Sequence, residues 1–254
     1  MSVRLITADA LSSARGVVHG FTTREGGVST GDLSTLNLAR RAGERDEHLV
    51  ANWAAAVDAL SPGWGGERLA IVDQVHGARV IEAEPRGPLS PVGEADALIT
   101  DQVGVVLAVR TADCVPLLMS AGRVVAAVHA GWQGTAAGVV HTALKALLDR
   151  AGVGPSDVVA AVGPSICGRC YEVGPEVVAG LLGAGADDFC VGHSPRGRPL
   201  VDVGAAVMSQ LRTSGVTAVE RVCACTLERE DLWSHRRHGA ASGRQAALIA
   251  LAEP

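Results

Sequence analysis

Cys114 stands in a polar turn, Thr111-Ala112-Asp113-Cys114, just after an apolar run, and His129 closes a second such run immediately before a glycine-rich turn. A third ligand-type side chain, His76, follows the run Arg68–Val75. Two imidazoles and a thiolate would give Zn²⁺ three protein ligands and leave a position open for water or substrate, the pattern of a catalytic site. Cys114 with His129 could instead form a nucleophile–base pair, because an adjacent imidazole activates a thiol. All three could also be ordinary turn and core residues. Their separations, thirty-eight and fifteen residues, match no compact zinc motif, so spacing alone leaves these readings open. Asp113, next to Cys114, could relay protons or orient a ligand, or simply form an Asx turn. Gly131, Gly134 and Thr135 lie at the expected start of a helix, where free backbone N–H groups could seat phosphate or another anion. Arg236 and Arg237 form a basic patch near the end, either solvated or closing an anionic substrate site.

Each of these residues needs an element to hold it. Strands are expected at residues 3–8 and 17–23, followed by a long polar loop over 26–39. Leu49, Trp53, Ala56, Val57 and Leu60 recur at helical spacing over 46–60, with Asp46 as N-cap. Further strands are expected at 68–75, 79–83, 97–100, 105–109, 115–119 and 124–129. The turn at 131–135 leads into a helix that buries Val140, Ala143, Leu144, Leu147 and Leu148. Strands at 158–162, 188–191, 216–223 and 246–251 alternate with helices at 175–182 and from Asp202, its cap, to 211. Paired strands mixed with crossover helices give an α+β fold with mixed sheets, read as one domain over residues 1–254.

Composition bounds the function. The 254 residues are 48% hydrophobic and 19% charged, and carry a net charge of −5, without a membrane-length apolar run. Acidic and basic residues are interspersed, which argues against nucleic acid or an anionic membrane as partner. The N-terminus lacks the pattern of a secretory signal, so a cytoplasmic location and reduced cysteines are expected. Cys167-Gly-Arg-Cys170 and Cys223-Ala-Cys225 suggest a second zinc, but the Cys-x-Cys half is short for such a site, and core or surface thiols are the expectation.

Longer blocks carry a resemblance. Asp73-Gln74-Val75-His76-Gly77, Thr111-Ala112-Asp113-Cys114 with Pro116, and His129-Ala130-Gly131-Trp132 are similar to the three signature blocks of the YfiH/YlmD-like family. That family was long described as multicopper polyphenol oxidoreductase (laccase) and is now viewed as purine nucleoside phosphorylase. Gly20–Arg24, Gly26–Ser29, Leu36-Asn37-Leu38, Cys170–Gly174 and Gly243-Arg244 extend the likeness along nearly the whole chain. The resemblance implies a single α+β domain with mixed β-sheets sandwiched between helices. It also implies zinc on His76, Cys114 and His129, with phosphorolysis of adenosine, inosine, guanosine and methylthioadenosine and deamination of adenosine. Nucleoside and phosphate are then the partners, in a monomer or weak homodimer, with Arg24 and Asn37 as substrate contacts. Gln133, the Cys167–Cys170 block and His238 depart from the family pattern, which bears on substrate preference more than on the metal. A copper-dependent phenol oxidase and a Cys–His thiol hydrolase acting on a cell-wall precursor are the rivals. Copper clusters commonly use His-x-His pairs, which this chain lacks, although a His₂Cys set can take Cu²⁺.

Overall fold

The computed structural model describes residues 2–187 and 189–252. In chain order the first half comprises β1 (Leu5–Ile6), α1 (Asp9–Ser12), β2 (Val17–Thr22), α2 (Asp46–Leu60), β3 (Leu69–Ala70), β4 (Val80–Glu82), β5 (Ala97–Thr100), β6 (Val106–Thr111), β7 (Val115–Ala121) and β8 (Val124–Ala130). The second half comprises α3 (Trp132–Ala136), α4 (Val139–Ala151), β9 (Val158–Val162), α5 (Pro175–Gly183), β10 (Cys190–His193), β11 (Pro199–Val201), α6 (Val203–Thr213), β12 (Ala218–Arg221), α7 (His235–His238) and β13 (Gln245–Leu251).

These elements build a layered α+β structure with mixed sheets between helices. One sheet has the order β1-β2-β13-β6-β3, a second has β12-β9-β7-β8-β5-β4, and β10-β11 form a small hairpin sheet. The central strands are mostly apolar because both of their faces are buried. Along β13, Ala246, Leu248 and Ala250 pack with Trp53, Ala56 and Val57 of α2. The alternate residues Ala247, Ile249 and Leu251 join Leu118, Val125 and Ala127 in a layer between the two sheets. On the far side of the second sheet, Leu117, Met119 and Ala126 meet Val140, Leu144 and Leu147 of α4 and Val207 and Leu211 of α6. Strand periodicity therefore sends Val128 to the helices and its neighbour His129 toward the space between the sheets.

Some expectations shift. The strand expected at 68–75 is only Leu69–Ala70, paired with β6. Beyond it the chain hydrogen-bonds to a loop instead, with Val92 N–H donating to Ile71 and Asp73 N–H to Gly93. Asp46 is the first residue of α2 and does not cap it by a side-chain bond; its charge sits in the first turn, favourable to the helix dipole. The helix after Gly131 is split in two, since Gly138 adopts a left-handed φ of 85° between α3 and α4. Asp202 caps α6 as expected, accepting from Ala205 N–H at 3.0 Å. The expected strand at 188–191 appears as Cys190–His193, with position 188 outside the described residues. Among the described residues no helix is long and apolar enough to cross a membrane.

Candidate active site

The three ligand-type side chains meet. One donor atom from each of His76, Cys114 and His129 lies within 4.8 Å of the others. Cys114 enters from the start of β7 and His129 from the end of the adjacent β8, where Pro116 is paired with His129. His76 arrives from the loop after β3 with a positive φ of 59°, a left-handed backbone uncommon for any residue but glycine. Its Nε2 is 4.0 Å from Cys114 Sγ, and its ring meets the His129 ring edge-on at 4.8 Å between centroids.

Asp96 organises this group, and the sequence reading missed it. Its buried carboxylate accepts N–H bonds from Val75, His76 and Gly77 at 3.2, 3.0 and 2.6 Å, which hold the left-handed His76 turn. It also bonds His129 Nδ1 at 2.8 Å, while its own carbonyl accepts His129 N–H at 2.7 Å. Burial opposes ionisation of Asp96, but donation from His129 and the amides of Gly77 and His76 wins and holds the carboxyl below its ordinary range. With Nδ1 engaged, His129 presents Nε2 to the other donors, the usual second contact of a metal-binding imidazole. The only hint in the sequence was an acid at the threshold of the apolar run 97–100.

Cys114 and His129 polarise one another. Burial pushes the thiol up, but the imidazoles of His129 and His76 outweigh it and bring Cys114 down to about 6. Burial likewise opposes protonation of His129, yet the Cys114 sulfur and Asp96 raise it to about 9. A half-buried thiolate beside two nitrogen donors suits a borderline-soft divalent ion such as zinc or copper. Room for an ion is kept by Gly131, where a Cβ would stand 3.0 Å from His76 Cδ2 and 3.2 Å from Cys114 Sγ. The donor set and this opening both fit a metal.

The group lies on the wall of a cavity of about 710 Å³. Arg41, Arg110 and Arg244 also face it, drawn from a loop, the end of β6 and the start of β13. Their hydrogen bonds run to backbone carbonyls: Arg41 to Ser242 at 3.0 Å, Arg110 to Val72 at 2.7 Å, and Arg244 to Ser242 and Gly243 at 2.9 and 2.8 Å. None of the three forms a salt bridge among the described residues. Burial and the positive charge of Arg41 pull the Arg244 guanidinium down to about 10. Guanidiniums without a carboxylate partner facing one cavity give it the positive charge and the hydrogen-bond donors that suit an anion. Thr111 Oγ1, at the rim of the same cavity, is buried without a hydrogen-bond partner.

Other sequence candidates sit elsewhere. Gly131 lines the cavity, but Gly134 and Thr135 are buried behind it, and α3 is a single short turn. Arg24 does not line the cavity; it stacks 3.9 Å over the Trp233 ring and donates to Ser34 carbonyl. Asn37 is fully buried and spends its amide on Ala39, Glu44 and Arg244 N–H. Asp113 lines the cavity with a positive φ of 88°, and its two oxygens accept from Thr226 hydroxyl and Arg236 N–H, both at 2.6 Å. Arg236 faces the cavity, whereas Arg237 is turned inward onto the carbonyls of residues 226, 227 and 229.

Fold and site together define a class: an α+β sandwich with a His₂Cys donor group set between two sheets and opening on a basic cavity. The chain belongs to the family described as multi-copper polyphenol oxidoreductase laccase, whose model matches residues 18–252. It is 38% identical to a purine nucleoside phosphorylase of Streptomyces coelicolor, over 94% of this chain and 97% of the relative. A purine nucleoside phosphorylase of Deinococcus radiodurans is also 38% identical, over 92% of this chain and 89% of its own length. The crystal structure of YlmD from Geobacillus stearothermophilus superposes with a TM-score of 0.89 at 30% identity, covering 100% of this chain and 97% of that one. A Neisseria meningitidis protein structure gives a TM-score of 0.85 at 32% identity, with 100% of both chains covered.

Proposed function

We propose that this protein is a zinc-dependent purine nucleoside phosphorylase acting on adenosine, inosine, guanosine and methylthioadenosine, with adenosine deamination as a second activity at the same site. The observation that carries the reading is the junction of two chemistries in one cavity: His76, Cys114 and His129 beside the guanidiniums of Arg41, Arg110 and Arg244. The names of the similar proteins support the phosphorylase class.

His76 Nε2, Cys114 Sγ and His129 Nε2 would hold the metal. When bound, zinc supplies Lewis-acid polarisation and lowers the pKa of a coordinated water. The chain's own contribution is positioning. Asp96 fixes the His129 tautomer and the His76 turn, so two donors are set before any ion arrives. The arginines hold phosphate as it attacks ribose C1′, while the bond from C1′ to the purine nitrogen breaks and the departing base takes up a proton. Leu38, Leu89 and Pro91, with the rings of Trp132 and Tyr171, offer the purine an apolar surface. Asp113, already engaged by Thr226 and Arg236, acts as a brace for the cavity wall rather than as a free base.

A multicopper cluster has less support. The chain has 8 histidines and no His-x-His pair, and only two imidazoles join the donor group. Product chromatography separates the readings. Inosine with phosphate is expected to give hypoxanthine and ribose 1-phosphate, and adenosine without phosphate to give inosine. Arg244→Gln should raise the KM for phosphate by about tenfold or more, the worth of one charge-assisted hydrogen bond, with the KM for inosine little changed. Oxygen-dependent phenol oxidation that scales with bound copper, without ribose 1-phosphate from inosine, would refute the proposal.

A further inference from the structure

Three of the five remaining cysteines join Glu228 in a second donor group. One donor atom from each of Cys167, Cys170, Cys225 and Glu228 lies within 4.8 Å of the others. Two chain segments remote in sequence supply them, and the backbone holds the segments side by side. Ser165 is bridged to Cys225, with Ser165 N–H donating to Ala224 and Thr226 N–H returning to Ser165. Within Cys167-Gly-Arg-Cys170, the N–H groups of Cys170 and Tyr171 both donate to Cys167 carbonyl at 2.9 and 3.1 Å, a tight turn that brings its two cysteines together. Gly168 is needed there, since a Cβ would stand 2.9 Å from Asp202 and Val191. The Cys167 N–H donates to Cys225 Sγ at 3.4 Å, the backbone support that a ligating sulfur receives. Cys170 Sγ is 3.5 Å from Glu228 Oε1. A hollow of about 320 Å³ is lined by Cys167, Cys225 and Glu228. Cys223, which the sequence pairs with Cys225, is exposed and outside the group; Glu228 stands in its place.

We infer that Cys167, Cys170, Cys225 and Glu228 form a second, structural metal site, closed by four protein ligands and suited by its three thiolates to zinc. Three sulfurs and a carboxylate oxygen are donors that zinc takes in four-coordinate sites, here with Glu228 where a fourth Cys or a His is usual. Four protein ligands leave no position for substrate. Arg169, 3.6 Å from Glu228, offsets part of the excess negative charge, while Arg221 beside the hollow is paired with Asp202. The site would fasten the turn at 167–170 to the segment at 225–228, and both reach the active cavity. Ile166 N–H donates to Asp113 carbonyl and Thr226 hydroxyl to Asp113 Oδ1 at 2.6 Å, while Tyr171 lines the cavity directly. This inference is independent of the reaction proposed above.

The test removes the first donor group and counts what is left. His76→Ala/Cys114→Ala protein, loaded with zinc and dialysed, is expected to retain one equivalent by elemental analysis. Its cobalt-substituted form should show thiolate-to-metal charge-transfer bands. Adding Cys170→Ser should abolish both signals, and Glu228→Gln, an exposed change that spares the fold, should weaken retention without erasing the bands. Four outcomes would overturn the inference: no retained metal in the double variant, metal unaffected by Cys170→Ser, iron with acid-labile sulfide in its place, or an intact mass showing a Cys167–Cys170 disulfide in freshly isolated protein.

Discussion

Asp96 carries more of the site than its single charge suggests. It joins His76, through the backbone, to His129, through the ring, so one carboxylate sets two of the three donors. Asp96→Asn keeps the shape but turns an amide N–H₂ toward groups that are themselves donors. A buried donor left facing donors costs about 1–3 kcal/mol, and loss of such a support lowers metal affinity by about 10–100-fold. Competition against a chromophoric chelator measures the affinity; an unchanged value would mean that Asp96 does not position the donors. The sequence named His76, Cys114 and His129, because thiols and imidazoles at the ends of apolar runs are few. It could not name Asp96, since an acid before a strand is common and its role depends on a turn that only the folded chain brings near.

At the scale of elements, the adjacent ends of β7 and β8 deliver Cys114 and His129, and the turn into α3 keeps the space before them clear. Gly131 has φ −70° and ψ 166°, a backbone any residue accepts, so its lack of a side chain serves the space and not the turn. Gly131→Ala should therefore fold normally yet crowd His76 and Cys114, weakening metal retention by about tenfold or more. Circular dichroism and metal content together check this, and full retention would contradict it. A second element-level device joins α1 to β2. His19 Nε2 accepts Ala8 N–H at 2.9 Å, which requires the neutral ring, and burial, outweighing Glu220, lowers its pKa below the ordinary 6.5. The unfolded chain thus binds the proton more readily, and the stability owed to neutral His19 is present above about pH 6.5 and lost as pH falls below it. Urea midpoints at about pH 7.5 and about pH 5 should differ more in the parent than in His19→Gln, and equal differences would refute the role. Elements with continuous apolar runs were legible in the sequence, β5 through β9 and β13 among them. The strand at β3 is shorter than expected because the chain beyond it, at Ile71 and Asp73, bonds a loop rather than a strand.

At the scale of the whole molecule, two sheets pressed face to face make the cavity possible. Their inter-sheet layer is sealed by Leu118, Val125 and Ile249, and the site opens where the strands end. The α+β class with mixed sheets was legible from the mixture of strand and helix periods, whereas the layering came only with the family resemblance. The basic cavity was not, because Arg41, Arg110 and Arg244 are far apart in the chain and no local pattern marks them as neighbours. A local rule points instead to the glycine turn at 131–135, because helix starts offer free N–H groups to anions. The second cysteine group was half legible for the same reason: Cys167 and Cys170 share one turn, whereas Cys225 and Glu228 join them only through folding. The claim that unites these scales is that nucleoside phosphorolysis depends on the metal held by His76, Cys114 and His129. It is tested most directly by ribose 1-phosphate formation from inosine and phosphate, comparing zinc-loaded parent protein with Cys114→Ala. The account predicts a rate that saturates in both substrates in the parent and falls at least about a hundredfold in the variant, the upper end of what disturbing a ligand's support costs. Absence of ribose 1-phosphate in the parent, or an undiminished rate in Cys114→Ala, would contradict it.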